Sequence, residues 1–270
     1  MLTKFVIHFL TISYQFRNSI FGILPRIVFF HKLFYSIHLV IRRNLISEKQ
    51  RAGEAATEFL KNGMTVGLGT GSTTKFAVKK IGELIRNGLS IRGIPTSEVT
   101  RILAEKEGIP LTDFTESNQI DVTIDGADEI DKNLNMIKGG GAALLREKIV
   151  ASASKEVIIV VSSKKFVDKL GKFPLPVEVT PFGWEVTFNS LERIGGNPEL
   201  RLNNGQPLIT DNGNFVIDCK FHEISDSKKL EQHLNIIPGV VENGLFVGLC
   251  SKMILVEAEK ILVKEKIDLR

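Results

Sequence analysis

Cysteine is nearly absent from this 270-residue chain, which carries only Cys219 and Cys250. Two isolated thiols exclude a disulfide framework and a cysteine zinc site, and they read as reduced structural residues in a cytosol-like compartment. No stretch reaches 18 apolar residues free of charge, so a transmembrane helix has poor support. Acids are missing altogether from residues 1–47, which contain Lys4, Arg17, Arg26, Lys32, Arg42 and Arg43. The formal charge of +4 comes from that segment: beyond it, 29 of the 35 basic residues face all 31 acids, a net of −2. The remainder therefore lacks the basic footprint of a nucleic-acid binder. Histidine is also sparse. His8, His31 and His38 sit in the basic segment, and His222 and His233 are remote in sequence from every glycine-rich loop, so no Ser-His-Asp set is visible.

Residues 1–44 hold both tyrosines and seven of the 17 phenylalanines, mixed with scattered cations. That composition fits translated upstream sequence, an acid-free organelle transit peptide, or a membrane-associated segment. Each reading sets residues 1–44 outside the fold. Membrane contact is expected only if this leader is genuine, and the compartment is cytoplasmic unless the leader is a transit peptide.

From Ser47 the pattern becomes regular. "SEKQRAGEAATEFLKNG" predicts a helix with a capping-box start at Ser47 and Gln50 and a stop at Gly63. "MTVGLG", "SIRGIP", "IDVTID" and "EVIIVV" read as strands, separated by helices in "STTKFAVKKIGELIRN", "SEVTRILAEKEG" and "AALLREKIVASA". This alternation predicts an α/β fold with a doubly covered, mostly parallel, Rossmann-like sheet. After about Gly171 the character changes. "GWEVTFNSLERIG" and "SDSKKLEQHLN" are helical, "LITDNGNFVIDCKF" reads as a hairpin around Asn212-Gly213, and "LFVGLCSKMILVE" returns a strand to the sheet. The expected organisation is a core from residues 45–170 and 247–270, interrupted by a smaller α+β, ferredoxin-like subdomain over residues 171–246.

Two glycine-rich turns and one acidic turn carry the chemistry. "GLGTGSTT" joins a strand to a helix, where backbone N–H groups and the Thr70, Ser72 and Thr73 hydroxyls suit an anion. It is neither a Walker loop nor a G-x-G-x-x-G fingerprint. "DGADEID" (Asp125 to Asp131) ends an apolar strand in four acids, at the strand end where open α/β sheets place ligands. It lacks the sixth-position glycine and the twelfth-position glutamate of a calcium loop. A solvated acidic turn is the plain alternative, but "NMIKGGGAALLREKIV" follows at once, with Lys138, the donor loop Gly139 to Gly141, and Glu147 one and a half turns into a helix. With no dinucleotide fingerprint and no metal-ligand spacing, the set points to cofactor-free proton transfer on a phosphorylated polyol, a carboxylate serving as base and a lysine with backbone donors holding the oxyanion.

The stretches "GLGTGSTT", "VTIDGADEID", "MIKGGGAALLREKIVA", "KLGKFPLPVEV", "ITDNGN" and "IPGVVENGLF" resemble, in order over about residues 47–250, those of type A ribose-5-phosphate isomerases. The resemblance implies interconversion of D-ribose 5-phosphate and D-ribulose 5-phosphate through an enediol(ate), in the pentose phosphate pathway, with no metal and no cofactor. It implies Glu147 as the base shuttling a proton between C2 and C1. Asp125 and Asp128 would handle ring opening and hydroxyl protons, and Lys138 would stabilise the oxygens. Thr70, Gly71, Ser72 and Thr73, Gly126 and Ala127 beside the two aspartates, and Gly139, Gly140 and Gly141 would bind substrate. Lys165 and Lys49 would join them. The expected partners are a small sugar phosphate and further copies of the chain, a dimer at minimum, with no nucleic acid. Mutual repulsion of Asp125 and Asp128 is expected to raise one pKa, while Glu129 and Asp131 read as solvated or helix-supporting. The leader and "GIPTSEVT", where the family often has a Ser-rich stretch, depart from the pattern. The competing reading is a catalytically silent sugar-phosphate sensor.

Overall fold

The structure, a computed structural model, describes residues 47–257 and 260–266; the expected leader, residues 1–44, lies outside them. Helix α1 (Glu48–Ala56) begins where Ser47 Oγ accepts the Gln50 N–H at 3.2 Å. The Gln50 side chain donates forward to Glu54, so only half of a capping box forms. Then come β1 (Thr65–Leu68), α2 (Thr74–Arg86), β2 (Arg92–Pro95), α3 (Glu98–Lys106) and β3 (Ile120–Asp125). Short β4 (Glu129–Ile130) and β5 (Met136–Ile137) precede α4 (Leu144–Ser152) and β6 (Ser154–Ser162). The second half runs β7 (Leu175–Val179), α5 (Trp184–Arg193), β8 (Pro198–Leu200), β9 (Leu202–Asn203), β10 (Gln206–Pro207) and β11 (Phe215–Cys219). It finishes with α6 (Ser227–Asn235), β12 (Val240–Asn243), β13 (Leu245–Phe246), β14 (Lys252–Glu257) and β15 (Lys260–Glu265).

Six strands form the central sheet in the order β15-β14-β6-β3-β1-β2. All neighbours are parallel except β14 and β15, so the sheet is mostly parallel, as expected. Its strands are apolar on both faces because both are covered. On β6, Ile158 and Val160 enter one core with Ala52, Val78 and Ile81. Val157, Ile159 and Val161 enter the other with Met136, Phe246 and Met253. Parallel pairing also brings the C-terminal ends of β1, β3 and β6 to one edge, which positions the loops that follow them.

A second sheet, β12-β7-β11-β8, is antiparallel and follows the order strand, helix, strand, strand, helix, strand of a ferredoxin-like unit. Its core holds Val177, Val179, Leu191, Ile217 and Leu234. A third, β13-β5-β4, joins chain from before α4 to chain from after β12.

One expectation is corrected here. The hairpin lies at Asn204-Gly205, between β9 and β10, where φ is +51° and +78°. At Asn212-Gly213 the chain makes only a tight turn, closed by Gly213 N–H to Thr210 O at 2.9 Å, with no strand leading in. As expected, "LFVGLCSKMILVE" returns a strand, β14, to the central sheet; its first residues form β13 of the three-stranded sheet, and β15 follows β14 as an antiparallel edge.

Candidate active site

The turn after β1 folds onto the end of β3. A Cβ at Gly69 would lie 2.2 Å from Asp125 Oδ1, so only glycine permits that approach. Thr70 N–H donates to the same oxygen at 3.1 Å and Gly126 N–H at 2.7 Å. Thr70 Oγ1 lies 2.7 Å from both Thr96 Oγ1 and Ser97 Oγ, so the hydroxyls of "GIPTSEVT" brace this loop. Lys49 reaches over from α1 and donates to Ser72 Oγ at 2.8 Å.

Lys138 is the hub. Only 3% exposed, its ammonium donates to Gly126 O at 2.6 Å and pairs with Asp125 Oδ2 at 3.0 Å and Glu147 Oε1 at 3.1 Å. The Phe246 ring lies 5.5 Å away on another side. Three directed partners satisfy its three N–H donors. Helix α4 begins at Leu144, later than the sequence suggests, which puts Glu147 in its first turn, where the helix dipole favours a carboxylate. Arg146 and Lys148 are not its partners. Arg146 pairs with Glu98 and Asp211, and Lys148 with Glu242 and Glu231. Glu147 Oε2 is buried without a partner.

Asp128 stands apart from this pair. It accepts the Gly140 N–H at 2.7 Å and faces Lys165 at 3.6 Å. A cavity of about 100 Å³ opens among these groups. Its walls include Lys49, the segment Thr70 to Thr73, Gly126 to Asp128, Lys138 to Gly141, Glu147 and Lys165. Every expected site residue is thus brought together there except Asp125, which lies behind the wall, 2% exposed, bound to the loop and to Lys138. Thr74 and the β6 end, Val160 to Ser162, also line the cavity. The sequence hides their role, because their residue types suit a helix start and a buried strand equally well.

Burial pushes the Glu147 carboxyl up to about 8; Lys138 opposes the rise, and the charge of Asp125 adds to it. Burial likewise raises Asp125, again against Lys138. The cause differs from the expected repulsion between Asp125 and Asp128: desolvation leads. Burial alone would lower Lys138, yet Asp125 and Glu147 together hold its pKa above the ordinary lysine value. A lysine held in its charged form therefore sits beside a buried carboxyl whose pKa is raised to about 8 and whose second oxygen has no hydrogen-bond partner among the described residues.

The two remaining acids of the strand end, Glu129 and Asp131, read from the sequence as solvated or helix-supporting, are buried and hold turns and loops instead. Glu129, 4% exposed, accepts the N–H groups of Gly171 at 2.8 Å and Phe173 at 2.6 Å. Asp131 Oδ1 closes its own turn by accepting from Asn133 and Asn135 at 2.8 and 2.9 Å. Backbone donors satisfy both, so both stay buried.

The family model described as Ribose 5-phosphate isomerase A (phosphoriboisomerase A) matches residues 92–260. A relative named Ribose-5-phosphate isomerase A from Bacillus cereus is 52% identical over 208 residues, covering 77% of this chain and 94% of the relative. The chain belongs to the ribose-5-phosphate isomerase A family. The family relative from Rhodopseudomonas palustris is 49% identical over 81% of this chain and 97% of its own. Among solved structures, ribose 5-phosphate isomerase from Plasmodium falciparum matches with a TM-score of 0.79 at 37% identity, covering 82% of this chain and 99% of that one. The Methanocaldococcus jannaschii enzyme matches at 0.78 and 40%, covering 81% and 98%. A further D-ribose-5-phosphate isomerase, solved in complex with phospho-erythronic acid, matches at 0.78 and 43%, covering 81% and 97%.

Proposed function

We infer that the chain interconverts D-ribose 5-phosphate and D-ribulose 5-phosphate by proton transfer on the open-chain sugar. The single observation that carries this reading is Glu147, whose Oε2 is buried and unpartnered while Oε1 faces Lys138. With the aldose bound, Glu147 takes the C2 proton, and the electrons of that C–H bond form the C1–C2 double bond as charge moves onto O1. The positive charge of Lys138 and the N–H groups of Gly139 and Gly141 stabilise that charge, while the Gly140 N–H holds Asp128. Glu147 then returns its proton to C1, and Asp128 passes the O2 proton toward O1, leaving the ketose. The reverse reaction uses the same groups in the opposite order.

Asp125 acts from behind, keeping Lys138 charged and the Thr70 loop closed. The loop Thr70 to Thr73, at the start of α2 and beside Lys49, suits the phosphate. No cofactor is assigned to the reaction. Two buried free thiols fit a cytoplasmic compartment, and among the described residues no helix is long and apolar enough to cross a membrane. We assign the working form to a homo-oligomer, a dimer at minimum.

The test is ribulose 5-phosphate formation from ribose 5-phosphate by the full chain in EDTA, with Glu147→Gln alongside. Turnover that resists EDTA and disappears in the variant supports the assignment. A folded chain that binds the sugar without converting it is a sensor, and the isomerase reading then fails.

A further inference from the structure

The donor loop Gly139 to Gly141 is gripped from outside the cavity by a residue of the smaller antiparallel sheet. Arg201 leaves the end of β8, with its own backbone tied by N–H to Val216 O and by O to Leu208 N–H, each at 2.9 Å. Its side chain, 14% exposed, meets Asp218 of β11 in a two-pronged pair, Nε to Oδ2 at 2.8 Å and Nη2 to Oδ1 at 2.5 Å. The remaining arm, Nη1, donates to Gly139 O at 2.8 Å and Gly140 O at 3.3 Å.

Those two carbonyls matter because of what lies across their peptide planes. In a trans peptide the C=O and N–H point in opposite directions. Holding Gly139 O fixes the direction of the Gly140 N–H, which donates to Asp128 at 2.7 Å. Holding Gly140 O fixes the Gly141 N–H of the next plane, at the cavity wall. Gly139 has φ of +99°, so the chain turns sharply there, and no side chain of the loop itself locks these planes. A guanidinium on the carbonyl end also polarises each amide and strengthens its N–H as a donor. Asp218 orients the guanidinium and balances its charge. Lysine cannot copy the arrangement, since a single ammonium does not span a carboxylate and two carbonyls in one plane.

We propose that Arg201, held by Asp218, is a positioning residue for the reaction: it aims the Gly140 amide at Asp128 and the Gly141 amide at the substrate oxygens. This rests on the isomerase reading given above. Arg201 touches no reacting atom; it acts through the loop. Because the amides take up charge that develops during proton transfer, its loss falls on kcat more than on KM.

The experiment compares the full chain with Arg201→Met and Arg201→Lys in steady-state kinetics on ribose 5-phosphate. It pairs these with thermal melting and with amide hydrogen exchange at Gly140 and Gly141. Removing one such donor directly costs more, so for a residue acting through the loop the expected fall in kcat is about 10- to 100-fold, with KM changed less than about threefold. Arg201→Lys, retaining the charge, should stay within about tenfold of Arg201→Met. Both glycine amides should exchange about tenfold faster while those of α4 hold their protection. Wild-type kcat in either folded variant overturns the proposal, as does a loss that merely follows the unfolded fraction. Should Arg201→Met not fold, Arg201→Lys decides alone. The exchange arm needs no turnover: a wild-type chain that fails to isomerise sinks the assigned reaction, whereas unchanged exchange at Gly140 and Gly141 sinks the role of Arg201.

Discussion

Glu147 gives Lys138 one carboxylate oxygen at 3.1 Å and keeps the other buried with no hydrogen-bond partner among the described residues. A structural ion pair would satisfy both oxygens, since an unpaired buried acceptor costs about 1–3 kcal/mol. Glu147 also lines the cavity, so an unpartnered oxygen there fits the base that the proposed reaction needs. Replacing Glu147 by glutamine removes the base and keeps the shape. Turnover should fall by about 10²–10⁴-fold, while ribose 5-phosphate still binds the folded variant. Rate measurement together with calorimetric titration checks this; near-normal turnover would remove Glu147 from the mechanism.

The same carboxyl sets the pH dependence. Its pKa stands at about 8 against an ordinary 4.5, with burial the main cause. The base must be ionised to work, so kcat/KM for the free protein should climb with pH well beyond the usual carboxylate range, toward 8. Stability should move the other way. Between 4.5 and about 8 the unfolded chain has lost this proton and the folded chain has kept it, so stability is lost as pH rises through that window. In Glu147→Gln the decline should be shallower. Urea unfolding at several pH values gives the comparison, and parallel curves would contradict the assignment.

Lys138 faces two buried carboxyls and a carbonyl. Lys138→Met would leave Asp125 and Glu147 together without their cation, an arrangement that costs about 3–5 kcal/mol when one partner of a buried pair is removed. The variant should melt lower and show no measurable isomerisation. Protonating both acids relieves the strain, so part of the lost stability should return on acidification, in contrast to an ordinary cavity-forming substitution. A Lys138→Met chain as stable as wild type at pH 8 would show that Asp125 and Glu147 are not held by this cation.

Much of the site was legible because glycine and charge cluster there. The turns at Gly69 to Thr73, Asp125 to Asp128 and Lys138 to Gly141 carry their chemistry in adjacent residues, and a parallel sheet brings consecutive strand ends to one edge. What stayed hidden depends on partners distant in sequence. Nothing local distinguishes Asp128, at the cavity, from Glu129, which faces the other way and clips Gly171 and Phe173. Asn204-Gly205 and Asn212-Gly213 are the same dipeptide, yet only the first turns a hairpin. The second lies in a turn whose Thr210, Asn212 and Asn214 side chains all donate to buried Glu178. Arg201 looks like any cation in a polar stretch until its two carbonyl partners are seen.

Gly140 gives a test of geometry separate from charge. A Cβ there would fall 2.7 Å from Asp128 Oδ1, and the clash is with the end of a side chain, not with backbone. Asp128 can therefore swing aside, so Gly140→Ala should fold with a melting temperature within a few degrees of wild type. Swinging aside breaks the 2.7 Å bond from Gly140 N–H and, in the proposed reaction, carries the carboxylate away from the sugar hydroxyls. A displacement of about 1 Å in a catalytic group can cost about 100-fold in rate, and a loss of that order is expected here with the fold intact. Asp128→Asn should lose activity to a similar degree, and adding Gly140→Ala to it should lose little more, because both changes act on one carboxylate. If the two losses multiply instead, Gly140 acts on the substrate independently of Asp128.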